Sequence, residues 1–351
     1  MTIKPPPATP AKNSASTTLV HRDPGGPSAL YETDLRYTRL LAARFGERFL
    51  SYRRLWRERS EGADPGGFPL SLDLSCSSGC QLRCVMCPLP RRGKMARRLM
   101  GLGLFRRLMD EAKELGLPAV TFGLGSEPLL DPRAPALVET AAAAGVMDIR
   151  LGTNGQALTA DVSAALADSG LTRLEVSVDA ASAESYRAAR PGGDWDLLVR
   201  NIEGFLETRA RKGLDTPLLR LSFLALPVND GELPLFLRAW EGRADMISVQ
   251  RPVWFPESLL PAPQPPPPGP IVCRQPWQRL GVLEDGTLWP CCSWHGERLL
   301  SGTDLSSGIA GAWGGEAMTA LRQALSGDSP PAPCRLCASA GIAAKDSNAR
   351  D

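Results

Sequence analysis

The residues with the clearest chemical potential are three cysteines in the stretch LSCSSGCQLRCVMCP, which begins at Leu74. Cys80, Cys84 and Cys87 follow the spacing Cys-x3-Cys-x2-Cys. This spacing suits a metal cluster, because thiolates are soft, charged ligands and a short loop can wrap around the metal. Cys76 leads into the loop along a predicted strand and is expected to point elsewhere. A cluster held by three cysteines keeps one iron open to bind a reacting molecule.

A second group of cysteines lies near the carboxyl end of the sequence. Cys334 and Cys337 form a Cys-x2-Cys pair of the kind used by zinc and iron-sulfur sites, and Cys273, Cys291 and Cys292 precede them. The segment GVLEDGTLWPCC predicts a β-hairpin that ends on the neighbouring cysteines. Four ligands are therefore available, with Cys291 or Cys292 left over. Spacing alone does not decide between zinc and iron-sulfur.

Composition limits the classes of function. The chain has 351 residues, 43% of them hydrophobic and 22% charged, and its net charge of +2 gives no basic field for nucleic acid. It has no apolar run long enough to span a membrane and no apolar signal segment at its start, so we expect a cytoplasmic protein without a membrane partner. In that reducing compartment, nine cysteines favour metal binding or catalysis over a disulfide framework.

The rest of the sequence predicts the elements that position these cysteines. Residues 1–28, rich in Pro, Ser, Thr and Gly, predict a disordered tail, and residues 29–69 predict a helical segment, amphipathic from Tyr31 to Arg59. Short apolar runs then alternate with helical patterns, which indicates a parallel α/β sheet. The predicted strands are Leu70–Leu74, Ala119–Phe122, Asp148–Leu151, Arg173–Val178, Leu218–Leu224 and Met246–Val249. The predicted helices are Leu104–Leu115, Ala134–Ala144, Ala160–Asp168, Trp195–Lys212 and Glu232–Glu241.

The chemistry of such a fold is expected at the carboxyl ends of the strands, and the three-cysteine loop follows the first strand. Residues 70–255 predict this main domain. The proline-rich residues 256–270 predict a stiff linker. Residues 271–340, which hold the second group of cysteines, predict a small second domain, and residues 341–351 predict a tail.

These motifs resemble those of the radical S-adenosylmethionine (radical SAM) enzymes, from about Leu70 to Cys337. The stretch Gly-Ser-Glu-Pro after the second strand is similar to the family's Gly-Gly-Glu-Pro motif, with Ser126 in place of the second glycine. The resemblance implies a partial (β/α)6 TIM-like barrel in which SAM binds the open iron and Glu127 receives its amino group. The further cofactor contacts that it implies are Met86, Gly125, Thr153, Asn154, Ser177, Asp179 and Gln250.

The second group of cysteines resembles the Twitch and SPASM auxiliary-cluster domains. Its cysteine before Arg-Gln-Pro-Trp, its Gly-x4-Cys and its Cys-x2-Cys are similar to a domain that holds one auxiliary [4Fe-4S] cluster. The resemblance implies a small β-hairpin-plus-helix iron-sulfur domain and leaves Cys292 outside the ligand set. The implied ligands are Cys273, Cys291, Cys334 and Cys337. SAM and two [4Fe-4S] clusters are therefore the expected cofactors.

The resemblance also implies a mechanism, in which the reduced cluster cleaves SAM to a 5'-deoxyadenosyl radical that takes a hydrogen atom from the substrate. Family members with one auxiliary cluster that resemble this chain act on sugars, aminocyclitols and nucleosides, often in antibiotic pathways. A thiol such as Cys292 beside the auxiliary cluster donates hydrogen atoms and would invert a carbinol carbon, which predicts an epimerase. If Cys292 is an ordinary buried residue, the auxiliary cluster would accept an electron and the reaction would be alcohol oxidation.

The expected partners are a small polyhydroxy substrate and an electron donor. The run from Arg91 to Arg107 holds seven basic residues and no acid, which predicts either a solvated face or a docking surface for an acidic flavodoxin or ferredoxin. Two alternatives to the epimerase and the dehydrogenase are a radical SAM enzyme that modifies a peptide and a non-enzymatic, metal-stabilised interaction module.

Overall fold

The structure is a computed structural model of the chain. It describes residues 18–22, 28–32, 36–62, 64–91, 97–252, 255–261, 271 and 273–339. Most of the predicted tails, most of the predicted proline-rich linker and the centre of the basic run lie outside the described residues.

Within these ranges the chain forms ten strands and twelve α-helices, numbered in chain order. The strands are β1 (Thr18–Arg22), β2 (Ser28–Glu32), β3 (Ser71–Leu74), β4 (Ala119–Phe122), β5 (Asp148–Thr153), β6 (Arg173–Ser177), β7 (Leu218–Leu224), β8 (Met246–Gln250), β9 (Arg279–Val282) and β10 (Leu288–Trp289). The helices are α1 (Arg36–Phe45), α2 (Glu47–Ser60), α3 (Leu102–Leu115), α4 (Ala134–Ala143), α5 (Ala160–Asp168), α6 (Ala183–Ala189), α7 (Trp195–Arg211), α8 (Leu233–Trp240), α9 (Gln275–Gln278), α10 (Gly308–Gly314), α11 (Glu316–Ser326) and α12 (Ala332–Ser339). None of these helices combines the length and the apolar composition that crossing a membrane requires.

All ten strands belong to one sheet, in the order β1-β2-β8-β7-β6-β5-β4-β3-β9-β10. Strands β3 to β8 are parallel to one another, and β9 pairs parallel with the outer side of β3. Strand β10 returns antiparallel to β9, and β2 runs antiparallel to β8 at the opposite edge. The sheet is therefore open, and the predicted α/β class with six core parallel strands is confirmed.

The core strands carry apolar side chains on one face and polar side chains on the other. Leu151, Leu174 and Leu221 are fully buried in a core that also contains residues of the flanking helices, such as Phe105 and Leu198. Because side chains alternate along a strand, the intervening polar residues project into the concave interior of the curved sheet. The cysteine loop lies at the end of this interior where the parallel strands have their carboxyl ends.

Helices α1 and α2 cover the amino-terminal ends of the strands. Tyr37, Phe49 and Tyr52 form a second buried cluster with residues that begin strands, including Leu218 and Met246. The hydroxyl group of Tyr52 donates a hydrogen bond to Asp148, the first residue of β5, over 3.1 Å. These two helices therefore cover one end of the sheet. The cysteine loop, which follows β3, lies at the opposite end, where the parallel strands have their carboxyl ends.

The amino-terminal region differs from its prediction in two ways. Residues 18–22 and 28–32 form a hairpin on the edge strand β8, where backbone pairing satisfies groups that an edge strand would leave exposed. The segment predicted as a disordered tail, residues 1–28, therefore contains β1, and the segment predicted as helical, residues 29–69, contains most of β2. The single helix predicted from Tyr31 to Arg59 is two helices, because Gly46 adopts a φ of 60° that an α-helix does not accommodate.

Candidate active site

The three-cysteine loop follows β3 and is fixed by backbone hydrogen bonds to three separate segments. Gly79 accepts one from the backbone N–H of Glu127 over 2.9 Å, and Cys76 accepts one from Met100 over 2.9 Å. On the other side, Val85 donates to the carbonyl oxygen of Ala189 over 3.0 Å. The loop thus spans the carboxyl edge of the sheet from β4 to the end of α6.

The thiols of the loop are suited to binding a cationic metal cluster. Burial raises the pKa of Cys80 to about 12, and burial is also the main cause of the raised pKa of Cys84 and of Cys87. Such thiols become thiolates when a metal compensates the charge. Cys80 is close enough to Cys84 and Cys87 for their charges to interact, as ligands of one cluster must be.

Cys76 does not take part in this group. Its side chain is fully buried within the hydrophobic core, packed among apolar residues on the outer side of the sheet. Burial is the main cause of its raised pKa. This position agrees with the expectation that Cys76 points away from the cluster.

Glu127 ties together the loops after β4 and β5. Its carboxylate accepts hydrogen bonds from the hydroxyl group of Thr153 over 2.6 Å, from the backbone N–H of Asn154 over 2.7 Å and from that of Leu129 over 3.0 Å. Burial raises the pKa of Glu127, and these donors oppose the shift. A carboxylate offers about four acceptor positions, so one position on Glu127 remains after these three bonds.

Asn154 connects this network to the cluster loop. Its side-chain amide lies 3.5 Å from the sulfur of Cys80 and exchanges hydrogen bonds with the side chain of Gln81 over 3.1 and 3.2 Å. An amide N–H directed at a thiolate stabilises the negative charge of that ligand. Gln81 is a functional candidate that the sequence did not reveal, since its position within the loop carries no distinctive spacing.

Asp179 and Arg190 form a buried ion pair beside the cluster loop. The Nε atom of Arg190 donates to Asp179 over 2.9 Å, and its Nη1 atom lies 3.6 Å from the sulfur of Cys84. Asp179, which has a φ of 59°, also accepts a hydrogen bond from the backbone N–H of Leu224 over 2.8 Å. Burial opposes the charge of Arg190, but Asp179, Cys84 and Tyr186 together outweigh it and raise the pKa of the guanidinium group. Asp179 therefore holds a permanent cation against a cluster thiol.

The remaining predicted cofactor contacts lie at the same end of the sheet. Ser177 is the last residue of β6 and pairs in register with Ser222 of β7, and Gln250 ends β8. The side-chain amide of Gln250 donates to the hydroxyl group of Ser248 over 3.3 Å. Met86 is half-buried within the cysteine loop. The strand ends therefore bring these residues to the edge that carries the cluster loop.

Gly125 is the point at which the second cysteine group approaches this site. It has a φ of 66°, and a β-carbon built on it would lie 3.0 Å from the ring of Trp294 and 3.5 Å from that of Trp289. The two indole rings pack edge to face with their centroids 4.9 Å apart. The segment that carries Cys291 and Cys292 is thus anchored directly on the loop after β4.

The second group of cysteines surrounds one apolar cavity. Among the described residues that line it are Pro276, Pro290, Leu321 and Leu325. Burial raises the pKa of Cys334 to about 11, and it also raises the pKa of Cys291 and of Cys337. The cysteines in the cavity lining are Cys273, Cys291, Cys334 and Cys337, the four predicted ligands. A cavity lined by four thiols, set in apolar surroundings, fits an iron-sulfur cluster.

Cys292 and His295 occupy different positions relative to this cavity. Cys292 is not among the described residues that line it; its side chain is exposed, with its sulfur 3.8 Å from the Oε1 atom of Gln275. The alternative required Cys292 to be buried, and for this residue that expectation is wrong. His295 lines the cavity and stacks on Phe255 with ring centroids 4.6 Å apart.

The fold and the site together define a class of enzyme, with a cluster loop at the carboxyl edge of an open parallel sheet and a second thiol-lined cavity beside it. The Radical SAM superfamily model matches residues 74–218, and the SPASM model, an iron-sulfur cluster-binding domain, matches residues 273–338. The chain therefore carries a radical SAM domain and a SPASM domain. The predicted cofactors, SAM and [4Fe-4S] clusters, are confirmed by these two matches.

Curated proteins of two different activities are similar to parts of the chain. A probable GTP 3',8-cyclase of Methanococcus maripaludis (strain C5) is 30% identical over 167 residues, which cover 48% of this chain and 53% of that protein. The mycofactocin maturase MftC of Mycolicibacterium smegmatis is 33% identical over 135 residues, or 38% of this chain and 34% of that protein. The chain thus spans about half the length, or less, of these relatives.

Solved structures of Streptococcus suis SuiB share the fold. The structure bound to S-adenosylmethionine has a TM-score of 0.59 at 14% identity and covers 73% of this chain and 68% of that chain. The structure bound to the precursor peptide SuiA has a TM-score of 0.59 at 15% identity and covers 79% of this chain and 71% of that chain. At this identity the likeness is evidence of the fold alone.

Proposed function

We propose that this radical SAM enzyme inverts a carbinol carbon of a sugar, aminocyclitol or nucleoside-type metabolite, as an epimerase in natural-product biosynthesis. The observation that carries the proposal is the exposed thiol of Cys292, which directly follows Cys291 but lies outside the cavity of the other thiols. A thiol that binds no metal keeps its hydrogen and can donate it to a carbon radical. Trp294, two residues further on, contacts the loop after β4 and so keeps Cys292 near the SAM end of the sheet.

In this proposal the residues around the cluster loop bind and orient SAM. Cys80, Cys84 and Cys87 hold the cluster, and the remaining acceptor position of Glu127 receives the SAM ammonium group. Ser177, which is half-buried, is a better contact for a ribose hydroxyl than Asp179, which is 1% exposed and already bound to Arg190. Met86, Gly125, Thr153, Asn154 and Gln250 remain proposed contacts.

Held by these residues, SAM and the reduced cluster would supply a 5'-deoxyadenosyl radical able to take the hydrogen atom from the substrate carbon. Cys292 then gives the hydrogen atom of its S–H bond to the opposite face of that carbon, which forms a C–H bond of inverted configuration. The sulfur radical left on Cys292 takes up one electron from the reductant and one proton from water. A flavodoxin or ferredoxin is the proposed reductant, and Arg97, Arg106 and Arg107 are exposed members of the basic run that would receive it.

Oxidation of an alcohol to a ketone is the second candidate. It is favoured by the four-thiol cavity, because a cluster held there can accept the electron that a substrate radical loses as its hydroxyl proton leaves. Modification of a peptide is a third outcome to be tested, since one structure of similar fold was solved with a precursor peptide. Natural substrate supplied in heavy water separates these reactions.

The experiment is turnover in deuterated water with SAM and reductant. Epimerisation through Cys292 places one solvent deuterium on the inverted carbon and leaves the oxidation state of the substrate unchanged, since thiol hydrogens exchange with solvent. Mass spectrometry and proton NMR of the product measure both. A carbonyl product without solvent deuterium would exclude the epimerase and support the oxidation.

Replacing the thiol tests the residue itself. Cys292→Ala and the nearly isosteric Cys292→Ser are both expected to abolish inversion, because neither side chain donates a hydrogen atom to carbon. Formation of 5'-deoxyadenosine with substrate present is expected to continue in both variants. Normal inversion by either variant would remove Cys292 from the proposed reaction.

A further inference from the structure

The interior of the sheet contains charged residues that none of the proposed steps uses. Arg150 of β5, Glu175 of β6 and Arg220 of β7 all project from the polar face of adjacent strands. Their side chains are 26%, 17% and 16% exposed, whereas leucines on the opposite face of the same strands are fully buried. The three side chains therefore border an accessible space within the curve of the sheet.

This group has an excess of positive charge. One terminal nitrogen of Arg150 and one of Arg220 each lie 3.6 Å from the same Oε2 atom of Glu175, so two guanidinium groups share one carboxylate. That oxygen is buried and accepts no hydrogen bond from a described residue, because 3.6 Å is too long for one. Burial opposes the ionisation of Glu175, but Arg220, Arg150 and Arg173 outweigh it and lower its pKa to about 2. The three side chains thus count two positive charges and one negative charge, and Arg220 also donates a hydrogen bond to the hydroxyl group of Ser248 over 2.7 Å.

Arg150 is the member of the group that is open to a ligand. Among the described residues, its guanidinium group donates no hydrogen bond and has Glu175 as its ion-pair partner. Gly152 follows on the same face of β5 and has no side chain to fill the space between Arg150 and the strand end. Arginine binds carboxylate and phosphate groups through paired N–H donors, which suits it to this position.

The distance from this group to the SAM end of the sheet sets the size of the ligand. Arg150 precedes Thr153 by three residues, and a strand rises about 3.3 Å per residue, which separates the two by about 10 Å. That separation is about the length of one substituted sugar ring. We infer that Arg150 and Arg220 bind the carboxylate or phosphate group of an anionic substrate, whose ring then extends toward the loop that carries Thr153 and Asn154.

This inference narrows the substrate class and rests on the proposed function, but it can be tested without turnover. The full-length chain, reconstituted with its clusters and saturated with SAM in the absence of reductant, is titrated by calorimetry with inorganic phosphate and, separately, with malonate. Tighter binding of phosphate than of malonate assigns a phosphate-bearing substrate, and the reverse order assigns a carboxylate-bearing one. Because no reaction occurs, failure of the proposed epimerisation would leave this result unchanged.

Substitutions locate the binding. Arg150→Gln and Arg220→Gln are each expected to weaken the better anion about tenfold or more, since each removes a charge-assisted contact. Glu175→Gln is expected to strengthen binding, because it removes the competing carboxylate. Arg200→Gln, on the exposed side of α7, is the matched control and should bind as the unmodified chain does. Iron content and circular dichroism check that each variant is folded.

Two results would overturn the inference. One is an unmodified chain that binds neither anion at millimolar concentration. The other is a folded Arg150→Gln variant and a folded Arg220→Gln variant that both bind the anion with unchanged affinity.

Discussion

Two neighbouring residues, Cys291 and Cys292, have the same chemistry and different surroundings. The thiol of Cys291 lies in the cavity with three others, whereas that of Cys292 is exposed. The chain bends at both residues, and of the two only Cys291 is among the described residues that line the cavity. The family resemblance, rather than the spacing, selects Cys291 as the ligand, and this choice remains a prediction.

A pair of alanine variants tests this division. Cys291→Ala is expected to lose about four iron atoms per chain, because a [4Fe-4S] cluster there would lose one of its four protein ligands. Cys292→Ala is expected to keep the full iron content, near eight atoms per chain if both clusters are present. Iron analysis and visible absorption after anaerobic reconstitution measure the difference. Equal loss in the two variants would mean that both cysteines are needed at the auxiliary site.

The ion pair of Arg190 and Asp179 leads to a prediction about the electron affinity of the first cluster. The guanidinium group of Arg190 lies 3.6 Å from the sulfur of Cys84, and a cation there favours the reduced, more negative cluster. Arg190→Gln is expected to lower the reduction potential of that cluster by tens of millivolts, on the order expected for losing one partly compensated charge.

The matched variants are expected to shift the reduction potential of this cluster in the opposite direction or only slightly. Asp179→Asn removes the compensating anion and is expected to raise the potential, and Arg190→Lys keeps the charge and should shift it least. A redox titration followed by electron paramagnetic resonance measures all three. A potential that is unaffected by Arg190→Gln would show that the ion pair has only a structural role.

The sequence could identify candidate site residues where their chemistry depends on their spacing along the chain. The three cysteines of the loop and the Glu127 motif stand at fixed distances along the chain, so their types and intervals were enough. Arg190 was missed because it meets Cys84 only through folding, across 106 residues of sequence. Arg150 and Arg220 did leave a signal, since each is a charged residue that alternates with apolar ones inside a strand.

At the scale of elements, the loops after β4 and β10 depend on each other through Gly125. Its φ of 66° is accessible to glycine at low cost, and a β-carbon there would approach Trp294 to 3.0 Å. Gly125→Ala is expected to move the indole ring and to weaken SAM binding at least several-fold, because the loop after β4 also carries Glu127. Equilibrium SAM binding to the reconstituted chain measures the effect.

Gly116 provides the matched control for this substitution. It ends α3 with a φ of 64°, and nothing lies within 4 Å of the position that a β-carbon would take. Gly116→Ala therefore imposes a similar backbone strain, of about 1 kcal/mol or more, without a contact. If both variants bind SAM equally, the contact between Gly125 and Trp294 has no part in cofactor binding.

The repeating elements followed from the sequence, and the exceptions have specific causes. Strands β4 and β7 and helix α5 have their predicted bounds, because each is a run with a clear period and a boundary residue such as the capping Thr159. The sequence did not predict α6, which is only 7 residues long, or the hairpin of β1 and β2. A short hairpin is stable only through pairing with a distant edge strand, which a local pattern does not contain.

At the scale of the whole molecule, the SPASM segment and the radical SAM segment share one hydrophobic core. Residues of both, such as Leu72 and Leu280, belong to the same buried cluster, and β9 pairs with β3 along its whole length. The indole N–H of Trp313 donates a hydrogen bond to the carbonyl oxygen of Gly66 over 3.0 Å. The two cluster sites are therefore held at a fixed separation by packing.

Shortening the chain tests this shared core. A chain that ends at residue 261 lacks β9 and exposes the edge of β3, together with core residues that Trp277 and Trp313 would cover. Such a chain is expected to aggregate. The full-length variant Cys334→Ala/Cys337→Ala removes the ligand pair but keeps every packed element, so it should stay soluble and lose only the auxiliary cluster. Size-exclusion chromatography, far-ultraviolet circular dichroism and iron content distinguish the two. A shortened chain that is soluble and monomeric and loads a cluster would mean that the radical SAM segment folds without the packing that the SPASM segment provides.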